Sequence, residues 1–160
     1  MKYPHILLFV LAITCSGLMG CSSGTSAQIV PQMEGLTQPI PFLHDHATGL
    51  KTARQEKKPT LIFFSVPDNT GSQRMMETTF RDEEIKRLAK WLVCIHVDGA
   101  QDPALCESLE ISSFPTIILS NAHGVEIRRL VGRQTPDQLA VQIHVLLQSA
   151  VLRPQSVARR

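Results

Sequence analysis

The sequence predicts an α/β sandwich of three layers, with a mixed central sheet and helices on both faces. Three observations carry this. Two continuous apolar runs, residues 60–66 and 91–97, read as strands buried on both faces, and a helical segment separates them. A turn cluster at residues 121–124 joins two further strand-like runs as a hairpin. Segments with apolar residues at helical spacing precede the first strand and follow the last.

Each element has a local reason. Over residues 42–58, Leu43, Ala47, Leu50 and Ala53 recur at helical intervals. Asp45 suits the N-cap, Gly49 weakens the helix, and Pro59 ends it. After the strand at 60–66, residues 67–71 form a turn cluster. A helical pattern over 72–90 carries Met75, Met76, Thr79, Phe80, Ile85 and Leu88. Asp82 is a second N-cap signature inside it, which predicts a break near Arg81. The strand at 91–97 closes on Asp98-Gly99, and residues 103–109 form a short helix. Strands follow at 116–120 and 125–131. Thr135 caps the last helix, with Pro136 at its first position. Leu139, Ile143, Val145, Leu146 and Leu147 supply its apolar face. The order gives a parallel β-α-β unit, then an antiparallel hairpin and a closing helix.

Composition narrows the classes of function. The chain has 160 residues, which fits one domain of roughly 100–150 residues. Its 16 Lys+Arg against 14 Asp+Glu give a net charge of +2, too little to argue for a nucleic-acid partner. Four cysteines are too few for a disulfide-built scaffold.

The first residues read as an address. Lys2 precedes an apolar run at 6–13, shorter than the roughly 20 residues a bilayer span needs. Leu18-Met19-Gly20-Cys21 follows, and it resembles the bacterial lipobox. The resemblance implies a signal peptide over 1–20, cleavage before Cys21, and lipid attached to that cysteine. The alternative is an ordinary secretory signal in which Cys21 is incidental. Ser22 stands where retention at the inner membrane usually has Asp, so the resemblance favours the outer membrane, with the domain facing the periplasm. Residues 21–41 are rich in Ser, Gly, Thr, Gln and Pro and read as a tether. Residues 42–150 form the domain and 151–160 a basic tail with Arg153, Arg159 and Arg160, a weak pull on anionic lipid.

Several features of the domain now coincide. Lys58-Pro59-Thr60 leads into a buried strand. A helix then carries Arg74-Met75 and Thr79-Phe80-Arg81-Asp82. A strand closes on Val97-Asp98, and Leu105 and Leu109 precede Ile111-Ser-Ser-Phe114-Pro115-Thr116. Over residues 42–150 this resembles the thioredoxin superfamily, in particular the periplasmic thioredoxin-like domains similar to the C-terminal domain of the DsbD reductase. The resemblance implies a thioredoxin-like sandwich in which Pro115 is a cis-proline facing the active site. It also implies that Phe114, Pro115 and Thr116 form a peptide-gripping surface.

The active-site motif departs from the family. Where the family has Trp-Cys-x-x-Cys, this chain reads Asp68-Asn69-Thr70-Gly71-Ser72, so Asn69 and Ser72 replace the two cysteines. Dithiol exchange needs a thiolate at the helix start and a second thiol to resolve the mixed disulfide. Neither an amide nor an unactivated hydroxyl supplies one. Asn69, Thr70 and Ser72 can still cap the helix, and the same surface can still bind an extended peptide. The two readings are compatible.

The remaining cysteines leave alternatives. Cys94 and Cys106 read as core residues. A Cys94–Cys106 disulfide is the sharper alternative in an oxidising compartment. His44 and His46 invite a metal reading, but their spacing points them apart and no third ligand is near in sequence. A solvated helix start is the simpler reading, and no metal or cofactor is expected. His96 and His144 read as ordinary fold positions. The function expected is a lipid-anchored, redox-inactive binding or assembly module for another cell-envelope protein. The alternative is thiol-disulfide exchange or redox sensing through Cys106 or Cys94.

Overall fold

The computed structural model describes residues 39–152. Cys21, the segment before it, nearly all of the tether and residues 153–160 lie outside the described residues. Among the described residues no helix is long and apolar enough to cross a membrane.

The elements run α1 (His46–Glu56), β1 (Thr60–Ser65), α2 (Thr70–Glu77), a 3-10 turn (Thr79–Arg81), α3 (Glu83–Ala89), β2 (Val93–Asp98), α4 (Pro103–Ser108), β3 (Thr116–Ser120), β4 (Glu126–Val131) and α5 (Pro136–Leu152). The sheet order is β2-β1-β3-β4. β1 and β2 are parallel, with Thr60 opposite Val93. β3 pairs antiparallel with both β1 and β4. The mixed sheet and flanking helices are those the sequence predicts.

Strand alternation builds two cores. Leu61 and Phe63 of β1 point to one face and Ile62 and Phe64 to the other. The first face packs against Met75, Phe80, Ile85, Leu88, Leu139, Ile143 and Leu146 from α2, the 3-10 turn, α3 and α5. The second packs against Ala53 of α1 and Cys106 of α4. Among the described residues both clusters lie within 40–146, so this stretch carries its own core and can fold as a unit. Phe80 closes the larger core edge-on against Phe63, at 4.8 Å between ring centres. Such a pair contributes about 0.5–1.5 kcal/mol beyond area burial.

The helix predicted from residue 42 begins at His46 instead. Asp45 is its N-cap, accepting from the Thr48 N–H at 2.7 Å. Phe42 and Leu43 are extended. The Leu43 N–H donates to the Cys94 carbonyl at 2.9 Å, and the His96 N–H donates to the Leu43 carbonyl at 2.8 Å. The physical reason is tertiary: β2 is an edge strand, and this short bridge covers part of it. Gly49 has a use that propensity misses. A Cβ there would stand 2.4 Å from Ile95 Cδ1, so glycine lets α1 lie close on the sheet. The break near Arg81 is real, and Asp82 caps α3 through bonds from Glu84 and Ile85. β2 begins at Val93, two residues later than predicted. Trp91 and Leu92 instead close the end of α3, donating to Leu88 and Ala89.

Candidate functional site

The site is a corner where the start of α2 meets the loop before β3. Asn69 joins the two. Its Oδ1 accepts from the Ser72 N–H at 2.8 Å and the Ser72 hydroxyl at 3.1 Å, which makes it the N-cap of α2. Its Nδ2 donates to the Phe114 carbonyl at 3.0 Å. The Phe114–Pro115 peptide bond is cis. Gly71 lets the two segments touch, since a Cβ there would lie 3.1 Å from Pro115 Cδ. The loop is braced by Thr116 Oγ1 donating to Ser113 at 2.7 Å and by the Gly132 N–H donating to Pro115 at 2.8 Å.

Capping falls to Asn69 alone. Ser72 is 3% exposed, and its hydroxyl serves Asn69 rather than the backbone. Thr70 is exposed and makes no capping bond, contrary to the sequence reading. Asp68 is exposed at the tip of the turn. Pro115 and Thr116 are buried, so the accessible corner consists of Asp68, Thr70, Ser113 and the half-buried Asn69 and Phe114. Gly99 seats the Phe114 ring, because a Cβ at Gly99 would meet that ring at 2.5 Å. The Phe114 carbonyl keeps one lone pair beyond the Asn69 bond. Among the described residues nothing accepts from the Phe114 N–H.

The two thiols are not brought together. Cys94 belongs to the core shared with α2, α3 and α5, and Cys106 to the core under α1 and α4. The sheet separates them, and both are free and buried, which removes the disulfide alternative. Burial pushes the Cys94 thiol up to about 12. Burial also raises Cys106, and the carboxylates of Asp102 and Asp98 add to it. A reactive cysteine needs the opposite environment.

His96 is not isolated, as its place in the sequence suggests. Its ring lies 5.5 Å from that of His44 and stacks on Phe63 at 5.2 Å. Its Nε2 is 2.7 Å from the Ser65 hydroxyl. With His46, Asp98 and Asp102, these two histidines line a cleft of about 610 Å³. The carboxylates there are engaged. Asp98 accepts from the Ala100 N–H and from Gln101 Nε2, and Asp102 caps α4 through the Leu105 N–H. Among the described residues no group of three such side chains is arranged to hold a metal ion. Desolvation lowers the pKa of both His46 and His96, and nearby His44 lowers His96 further. His144 faces Glu84 at 3.2 Å on the surface, far from this cleft in the sequence.

A family model for thioredoxin-like domains matches residues 47–144. No curated protein sequence matches the chain. Among solved structures, a thioredoxin from Thermus thermophilus is 14% identical, with a TM-score of 0.63, covering 77% of this chain and 100% of that one. A poplar thioredoxin h mutant is 21% identical at a TM-score of 0.60, covering 77% and 92%. A DsbH oxidoreductase is 18% identical at a TM-score of 0.57, covering 74% and 89%. At these identities the likeness is one of fold.

Proposed function

This chain belongs to the thioredoxin-like domain family, and we propose that it is a redox-inactive member that binds an extended segment of another cell-envelope protein. In this reading Cys21 carries a lipid anchor, and the tether ends before Ile40 rather than at residue 41, because Ile40 is already buried in the core and donates to the Phe80 carbonyl at 3.2 Å; the domain faces the periplasm. Asn69 carries the argument. By the sequence resemblance it stands in for the attacking cysteine, and it caps α2 and ties that helix start to the Phe114 carbonyl. The corner is thereby complete without sulfur. The cis-proline loop remains in place, with the Phe114 N–H and one carbonyl lone pair available for strand-like pairing with a partner backbone. The rival reading, chemistry at Cys94 or Cys106, is opposed by the burial and raised pKa of both thiols.

Site-specific photocrosslinking in cells tests this. A crosslinking residue at exposed Ser113 should give one discrete protein adduct, and the same residue at Val141, on the outer side of α5, should give none. No adduct at Ser113, or equal adducts at both positions, would overturn the reading.

A further inference from the structure

The end of the sandwich opposite the Asn69–Phe114 corner has its own character. β1 and β2 start side by side, with Thr60 opposite Val93 and the Val93 N–H donating to Pro59 at 3.0 Å. The segments just before them therefore lie together: Lys57 and Lys58 before β1, Lys90 and Trp91 before β2. Trp91 is the only tryptophan in the chain and is 67% exposed. Lys58 pairs with Glu56 at 2.8 Å. Lys57 and Lys90 are exposed and have no ion-pair partner among the described residues.

Lys57 also departs from local preference. It follows α1 in the left-handed conformation, at φ 54°, where glycine is the usual residue. The chain keeps a charged side chain there despite the steric cost.

α5 begins beyond Gln134, which accepts from Thr79, and its inner face then shares the core with Leu88 and Leu92 at the close of α3. Arg153, Arg159 and Arg160 follow that helix in sequence.

We propose that this end docks on a bilayer surface bearing anionic phospholipid headgroups. Trp91 sits among the headgroups, where an indole with an apolar body and one N–H is favoured. Lys57 and Lys90 sit over their phosphates. The corner at Asn69 lies beyond the opposite ends of strands roughly 20 Å long, so docking leaves it facing away from the membrane. Lipid docking itself does not depend on what that corner binds.

The test uses residues 22–160, without lipid on Cys21, and vesicles of phosphatidylcholine with or without phosphatidylglycerol. Trp91 is its own reporter. With phosphatidylglycerol at low salt its emission should shift to the blue and the protein should sediment with the vesicles, and added salt should weaken both. Lys57→Gly removes a charge while relieving the left-handed backbone, so its fold is not in question. Lys57→Gly and Lys90→Ser should each weaken partitioning about five-fold. Trp91→Ser should weaken sedimentation as well. No blue shift with phosphatidylglycerol, equal binding to pure phosphatidylcholine, or lysine variants that bind like the wild type would each overturn the proposal.

Discussion

Replacing Asn69 by alanine removes three interactions at once, and their sizes follow from the structure. The bond from the Ser72 N–H at 2.8 Å is the N-cap of α2, and its loss costs about 1 kcal/mol. The bond to the Phe114 carbonyl at 3.0 Å contributes about 1 kcal/mol net. The Ser72 hydroxyl, 3% exposed, then loses its acceptor inside the protein, for about another 1 kcal/mol. These three share one side chain and are not strictly additive. The expected total is about 2–3 kcal/mol. Asn69→Ser keeps a capping oxygen but cannot reach Phe114, so it should cost about 1 kcal/mol. Urea unfolding followed by circular dichroism measures both. Equal costs for the two variants would show that the cap contributes nothing, and a serine variant as stable as the wild type would show the same of the Phe114 link. An alanine cost below about 0.5 kcal/mol would refute the whole account of the corner.

Acid should destabilise the domain before its carboxylates titrate. His46 and His96 have folded pKa values held below 6.5, so below that pH the unfolded chain binds protons that the folded chain refuses. The urea midpoint should therefore fall between about pH 7.5 and about pH 5.5, and a midpoint that rises on acidification contradicts the burial of these rings. Cys94 and Cys106 should resist a polar alkylating reagent in the native protein and react fully in urea. Fast native labelling of either would reinstate thiol chemistry. Gly49→Ala should lower stability, because overlap with Ile95 costs about 1–3 kcal/mol against about 1 kcal/mol returned by helix propensity. A stabilised variant would show that α1 does not lie as close to β2 as described.

What the sequence made legible was local. The uninterrupted run through β1 announced a strand covered on both faces, and Asp45, Asp82 and Pro136 marked helix starts within a residue or two. Asn69 was legible as a cap for the same reason, since the capping bond spans three residues. Its second bond spans 45 residues, and no periodicity reports a contact of that kind. Leu43 illustrates the same limit. Its spacing fits the helical stripe of Ala47 and Leu50, yet an open sheet edge claimed its backbone. The two cysteines looked pairable because only a dozen residues separate them, but β2 turns Cys94 to one face of the sheet while α4 packs Cys106 against the other. His96 met His44 across the same bridge.

The central claim is that the fold persists at this corner without the sulfur chemistry. The direct measurement is insulin-disulfide reduction by residues 22–160, beside an Asn69→Cys/Ser72→Cys variant with folding checked by circular dichroism. Asn69 and Ser72 stand at the start and in the first turn of α2, one half-buried and the other buried. The account predicts an inert wild type and a variant that gains activity. A wild type that reduces insulin would contradict it.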